Sequence, residues 1–208
     1  MNIGIIGGGI NGIFISYGLS KLGYKVDLYE QGKVLSRTSS SSSKLLHGGI
    51  RYLEHGHINL VRESLNDRAW WIKNASEYAK PIKICMPIYN NSPRSIVKVY
   101  AGAFLYRILA GSHSLGPSKF YGKSSTLKKF SEIKVDGLIG SVTFFDAQMN
   151  EQMLGQWVFE KSKNEGTKVF EDQKVNSFTS DGIIKTDLFG EKKYDLVINA
   201  AGPWAADL

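Results

Sequence analysis

A short apolar run at positions 2–6 and an alternating run at 25–29 are too short for helices and end on glycine or charge, which predicts two strands. Residues 10–22 between them have helical length, with Ile13, Tyr17 and Leu22 near one stripe and Gly23 as the stop. Residues 58–75 predict a second helix whose inward side carries Leu60, Val61, Leu65, Ala69 and Ile72. A strand over 83–89, bounded by Pro81 and Pro93, precedes a third helix over 95–110, where Ile96, Val99, Phe104, Ile108 and Leu109 alternate with Lys98 and Arg107. A strand at 142–145, a helix over 148–163 and a strand at 168–170 follow. Short alternating runs at 174–178, 183–186 and 191–194 predict a three-stranded antiparallel insertion before a last apolar strand at 196–199. Strand and helix alternate at both ends of the chain, the pattern of an α/β fold with a parallel sheet.

Composition alters this picture little. With 42% apolar and 22% charged residues the chain has enough apolar material for a packed core, so disorder is not the reading. A single cysteine, Cys85, excludes an intrachain disulfide and any cysteine-cluster metal site, and no metal is expected. The first residues lack the order of a signal peptide, and no apolar run reaches the ~18 residues of a membrane span, so a cytoplasmic location is expected. The stretch from Ser39 to Ser43 has a linker's composition, but the sequence after it shows no compositional break, so it is placed on an ordered loop. The net charge of +7 is uneven: residues 78–131 hold no Asp or Glu but many Lys and Arg. That stretch is a solvated face, a funnel for an anionic substrate, or a patch for anionic lipid. Nucleic acid is not an expected partner, because no recognition module accompanies the charge.

The chemistry begins at Gly7, Gly9 and Gly12, a GxGxxG between the first strand and the first helix. The first glycine allows the tight turn, the second lets a pyrophosphate approach the backbone, and the third lets helix and strand pack closely. The helix start, with Ile10 and Asn11, then turns its N–H groups toward phosphate. Glu30 ends the second strand about 20 residues on, where a carboxylate accepts from a ribose 2′-hydroxyl and repels a 2′-phosphate. The first unit is therefore Rossmann-like and built for an adenine dinucleotide other than NADP; a glycine-rich turn without a ligand is the alternative.

The GGGING at 7–12, the stretch from Thr38 to Lys44 with LLHGGIRYLEH at 45–55, and NAAGPW at 199–204 together resemble the FAD-dependent glycerol-3-phosphate dehydrogenases, within the D-amino-acid-oxidase-like flavoproteins. The resemblance spans the chain and is weakest between about residues 80 and 145. It implies FAD as cofactor, with Thr38, Ser42, Ser43, Lys44 and Leu46 toward the flavin side, Val175 meeting adenine through its backbone, and Ala201 and Gly202 giving the dinucleotide room. It implies His47 as the base that removes the hydroxyl proton of sn-glycerol 3-phosphate while a hydride passes to flavin N5, giving dihydroxyacetone phosphate. A histidine confined to hydrogen bonding in its glycine-rich turn is the alternative. Arg51 and Tyr52 would bind the substrate, Arg51 by its planar fork of donors. His55 and His57 read as surface residues at a helix start.

The resemblance further implies electron transfer to quinone or oxygen and a peripheral position on the inner face of the plasma membrane, with the segment at 95–110 as the membrane contact. It divides the chain into a first FAD-binding part at 1–79, part of an α+β substrate domain at 80–147, and a second FAD-binding part at 148–208. Two departures qualify it. Where the family reads Asp, Asp, Ala, Arg, Leu, this chain has Asn150, Glu151, Gln152, Met153 and Leu154. Family members also continue well past NAAGPW, so the chain reads as a truncated or split enzyme with weak or no turnover alone, and a complementing C-terminal chain is an expected partner. A non-catalytic FAD-binding remnant, and a flavoenzyme oxidising an amino acid or a 2-hydroxy acid, are the other readings.

Overall fold

A computed structural model describes residues 1–208 apart from the side chain of Ser40, which belongs to the serine stretch read above as an ordered loop and lies outside the described residues. The chain divides into two compact units, one made of Met1–Ser43 with Asn150–Leu208 and the other of Lys44–Met149. The first division thus falls after residue 43, where residue 79 was expected. The physical reason is pairing: residues 45–46 add a strand to the second unit's sheet, so the segment from Lys44 onward belongs there.

In the first unit, β1 (Asn2–Ile6), α1 (Ile10–Lys21) and β2 (Lys25–Tyr29) form the expected strand, turn, helix and strand. Ile3, Ile5, Val26 and Leu28 are fully buried or nearly so, as strands covered on both faces require. The stripe expected on α1 is buried only in part. Ile13 is fully buried as expected, but Leu22 is 75% exposed, and Gly12, Ser16 and Ser20 face inward with Ile13. Small residues let α1 approach a later helix of the same unit closely: Ser16 Oγ lies 2.7 Å from Ser162 Oγ, and Ser20 Oγ lies 2.8 Å from Thr167 Oγ1. A hydroxyl chain that pairs every buried oxygen replaces apolar packing there.

The second unit opens with β3 (Leu45–Leu46), a 3₁₀ turn at Ile50–His55 and α2 (Ile58–Asn74). β4 (Ala79–Tyr89), α3 (Ile96–Ala110), β5 (Lys119–Gly122), α4 (Lys123–Lys129) and β6 (Leu138–Met149) complete it. β6 is the centre of its antiparallel sheet, paired with β4 along one side and with β3 and β5 along the other. β4 runs through Pro81 rather than starting after it, because it is an edge strand and residues of that parity can turn the missing N–H outward. Val61, Leu65, Val99, Ala103, Tyr106, Val142 and Phe144 make the core. Three apolar positions of the expected helices are exposed: Leu60 on α2, and Phe104 and Ile108 on α3. Half of each helix's apolar residues suffices to cover this small sheet.

Returning to the first unit, α5 (Glu151–Asn164) starts three residues later than expected because Asn150 caps it, its Oδ1 accepting from the Met153 N–H at 3.2 Å. β7 (Lys168–Phe170), the meander β8 (Val175–Phe178), β9 (Ile183–Thr186) and β10 (Gly190–Lys193), and β11 (Leu196–Asn199) follow. The parallel sheet has the order β11-β1-β2-β7, and the meander is antiparallel throughout. The meander is tied to the parallel sheet through Asp27, which accepts from Lys192 Nζ at 2.5 Å and from the Tyr194 hydroxyl at 2.7 Å. Among the described residues no helix is long and apolar enough to cross a membrane.

Candidate cofactor cradle and catalytic turn

The carboxyl end of β1 is where strand order reverses, with β2 to one side and β11 to the other, and such a switch point opens a crevice for ligand. The glycine turn lies in it. Gly7 (φ 109°) donates to Tyr29 O at 2.8 Å, and a Cβ on it would stand 2.4 Å from Ala200 O and 2.9 Å from Ala201 Cα. A Cβ on Gly12 would stand 1.9 Å from Gly7 O, so α1 packs on the turn at a distance only glycine permits. Gly9 is the N-cap residue of α1 and offers no side-chain cap. The helix start is therefore left to other acceptors.

Two of those acceptors belong to the chain. Glu30, largely buried, takes the Gly8 N–H on Oε2 at 2.7 Å and the Gly32 N–H on Oε1 at 2.9 Å. Ser39 Oγ accepts from the Ile10 N–H at 2.9 Å, standing where a phosphate oxygen would. Asn11 is exposed on the first turn of α1. Thr38 opens the 3₁₀ turn Thr38–Ser40 that brings Ser39 to this place, and the exposed Ser42 donates to the carboxylate of Glu151. Ser43 is exposed as well. Val175 buries its side chain with Ile6, Tyr29, Ile184 and Tyr194, and Ala201 packs against the same cluster. Gly202 has φ 59° and begins the last 3₁₀ turn.

The second unit holds Lys44, Leu46, His47, Arg51 and Tyr52. Lys44 is in the left-handed region (φ 58°), and its carbonyl accepts from the Met149 N–H at 2.8 Å. Leu46 pairs with Ala147 on β6. His47 leaves that strand exposed, and the buried Gly48 and Gly49 (φ 71°) turn the chain into Ile50–His55. Arg51 and Tyr52 are exposed on that turn, and no hydrogen bond or ion pair holds the Arg51 guanidinium or the His47 imidazole among the described residues.

Beneath the turn is a buried polar cluster. The Gly48 N–H donates to Tyr106 Oη at 2.6 Å and stands 3.2 Å from Asp146 Oδ1, while the Tyr106 hydroxyl donates to Asp146 Oδ1 at 2.9 Å. Arg68, 2% exposed, reaches the same oxygen at 3.0 Å and the carbonyls of Phe145 and His113 at 3.3 and 3.1 Å. Burial, reinforced by the Asp146 charge, pushes the Tyr106 phenol well above its ordinary range. It stays a neutral donor, and its oxygen is the fixed acceptor for Gly48.

A family model described as FAD dependent oxidoreductase matches residues 2–208. The chain belongs to that family. It is 32% identical over 98% of its length to the aerobic glycerol-3-phosphate dehydrogenase of Staphylococcus haemolyticus, and 30% identical over 98% to the glycerol-3-phosphate dehydrogenase of Synechocystis. It spans 38% and 39% of those proteins. Among solved structures, the glycerol-3-phosphate dehydrogenase of Bacillus halodurans complexed with FAD matches 98% of the chain, with TM-score 0.69, 22% identity and 34% of that protein covered. The L-proline dehydrogenase of P. horikoshii matches all of it, with TM-score 0.76, 20% identity and 54% covered. At these identities the solved structures establish the fold.

The first unit fits the FAD of an FAD-dependent oxidoreductase. Gly7 and Gly12 leave no room for a Cβ, α1 presents its N–H groups without a cap of its own, and Glu30 stands at the end of β2 with its carboxylate on the Gly8 and Gly32 N–H groups. Five residues in these constellations, Gly8, Ser39, Arg68, Tyr106 and Asp146, escaped the sequence reading as site residues. Gly8 is needed because a Cβ there would stand 2.8 Å from Glu30 Cβ, and the third glycine of GGG was its only signal. Ser39 carried no signal apart from its neighbours. Arg68 and Asp146 had one: an Arg on the inward face of α2 after Val61 and Leu65, and an acid in an apolar strand, call for each other when buried.

Proposed function

We propose that this chain carries the cofactor-binding part and the proton-accepting part of an FAD-dependent glycerol-3-phosphate dehydrogenase. The observation that carries the reading is the match to two such enzymes over 98% of the chain, joined to an exposed His47 and Arg51 on a glycine-built turn. FAD, when bound, supplies the acceptor for the hydride that leaves C2 of the substrate. The His47 imidazole takes the proton of the C2 hydroxyl, so loss of hydride and proton together leaves a ketone, dihydroxyacetone phosphate. Arg51 offers its fork to the phosphate, with the Tyr52 hydroxyl beside it in sequence. Thr38, Ser42, Ser43, Lys44 and Leu46 serve the flavin side. Val175, Ala201 and Gly202 serve the pyrophosphate and adenosine side.

Quinone or oxygen is the final electron acceptor in this reading. The outward side of α3, with Val97 74% and Ile108 57% exposed near Lys98 and Arg107, supports a peripheral contact with anionic lipid.

The experiment is anaerobic bleaching of the FAD-loaded chain by sn-glycerol 3-phosphate, an amino-acid panel and a 2-hydroxy-acid panel. Bleaching by glycerol phosphate alone is expected. His47→Ala should slow it by about 10²–10⁴-fold with FAD affinity unchanged. Arg51→Ala should raise the half-saturating substrate concentration by roughly tenfold or more, the size of one charge-assisted hydrogen bond. Bleaching by amino acids instead, or equal loss of FAD binding and reduction in His47→Ala, would overturn the reading.

A further inference from the structure

The Gly48 N–H is part of the same planar peptide unit as the His47 carbonyl. Whatever holds that N–H therefore sets the plane on the C-terminal side of His47. On the N-terminal side, Leu46 is fixed by its pairing with Ala147 on β6. The acceptor on the other side comes from the same strand and from α3: Tyr106 Oη at 2.6 Å and Asp146 Oδ1 at 3.2 Å. Both acceptors are buried, and Arg68 and the Tyr106 hydroxyl both hold Asp146 Oδ1 in place. Only glycine fits at this position, since a Cβ there would stand 2.4 Å from Tyr106 Oη and 2.5 Å from Leu65 Cδ2. The exposed histidine thus stands on a backbone clamped from both sides, although it directly precedes the Gly48–Gly49 turn.

We infer that Tyr106, Asp146 and Arg68 are positioning residues for His47, a buried relay whose acceptor end fixes the peptide plane that aims the imidazole. This rests on the reading of His47 as the proton acceptor. The Tyr106 hydroxyl donates to Asp146 and accepts from the Gly48 N–H, and a phenylalanine packed in its place beside Phe144 would make neither bond.

The test is Tyr106→Phe in the full chain, read first without cofactor. Amide hydrogen exchange of Gly48 should accelerate about tenfold, the size of one net hydrogen bond, while the amides of Val61 and Leu65 keep their protection. Unchanged exchange at Gly48, or equal acceleration throughout the core, overturns the inference. In the FAD-loaded chain the same variant should slow bleaching by glycerol phosphate with half-saturation and FAD affinity unchanged, and should add nothing in a His47→Ala background. If His47→Ala alone leaves the rate intact, the assignment of the proton acceptor fails, and the exchange result still decides whether the clamp exists. A slowed His47→Ala with an unaffected Tyr106→Phe overturns the positioning role and leaves the assignment of His47 standing.

Discussion

Gly12 and Gly18 lie in the same helix, yet the same substitution should have opposite effects at the two. A methyl at Gly12 would stand 1.9 Å from the Gly7 carbonyl oxygen and 3.1 Å from its carbon, both backbone atoms. Relief requires α1 to move away from the turn by roughly 1 Å, and overpacking of that kind costs about 1–3 kcal/mol, here at the upper end because no side chain can yield. Ala returns about 0.5–1 kcal/mol of helix propensity, so Gly12→Ala should destabilise by about 2 kcal/mol. At Gly18 the added methyl meets nothing within 4 Å, and only the propensity gain of about 0.5–1 kcal/mol remains. The two variants should therefore differ by about 3 kcal/mol in urea unfolding followed by circular dichroism. The same displacement carries the helix-start N–H groups away from a pyrophosphate, so Gly12→Ala should also weaken FAD by about 100-fold or more in a flavin-fluorescence titration, while Gly18→Ala binds as the parent does. Midpoint shifts of the same sign in both variants, or parental FAD affinity in Gly12→Ala, would refute the reasoning.

Two further outcomes follow from the buried polar groups. Asp146→Asn leaves the Arg68 charge uncompensated at 2% exposure and should cost about 3–5 kcal/mol in chemical denaturation. Arg68→Met with Asp146→Leu should recover only part of this, because the Gly48 N–H and the Tyr106 hydroxyl still lose an acceptor; full recovery would mean those bonds contribute nothing. Burial raises the Tyr29, Tyr106 and Tyr194 phenols above their ordinary values, so the unfolded chain releases these protons first. Stability from them is intact below a pH of about 10 and is lost as pH rises past it. A spectrophotometric titration should show these phenolates appearing only together with loss of the circular dichroism signal, and a smooth titration of all ten tyrosines in a folded chain would contradict it.

Period-2 and short apolar runs located β1, β2, β7 and the meander because a strand buried in a sheet leaves no other pattern available to its residues. The helices were legible as helices, but their inward faces were not. In α1 hydrophobicity finds the buried Ile13 but misses Gly12, Ser16 and Ser20, which are buried for close approach and hydroxyl pairing, and points instead to Leu22, which is 75% exposed. β3, with two residues, is too short to show a period, and both β3 and β5 depend on β6 being there to pair with. The same distinction governs the site. Gly7, Gly9, Gly12 and Glu30 could be read because a backbone turn and its answering carboxylate have a fixed spacing. Ser39, Tyr106, Arg68 and Asp146 could not, because each meets its partner across a distance in sequence that no local pattern encodes.

Both units solve one physical problem. A glycine turn that lets a ligand or a side chain approach the backbone also leaves N–H groups without helix or sheet partners, and a buried N–H without an acceptor is costly. In the first unit the acceptors are Glu30 on Gly8 and Ser39 on Ile10, and in the second they are Tyr106 and Asp146 on Gly48. Their settings differ in a way that matches their tasks. Ser39 is half-buried, neutral and carried on a single 3₁₀ turn, so it can yield the Ile10 N–H to an anion that binds it more strongly. Tyr106 and Asp146 are buried, and Arg68 secures them through Asp146, so they hold Gly48 whether or not a ligand is present. A replaceable acceptor belongs where a cofactor must enter, and a permanent one where a side chain must keep its aim.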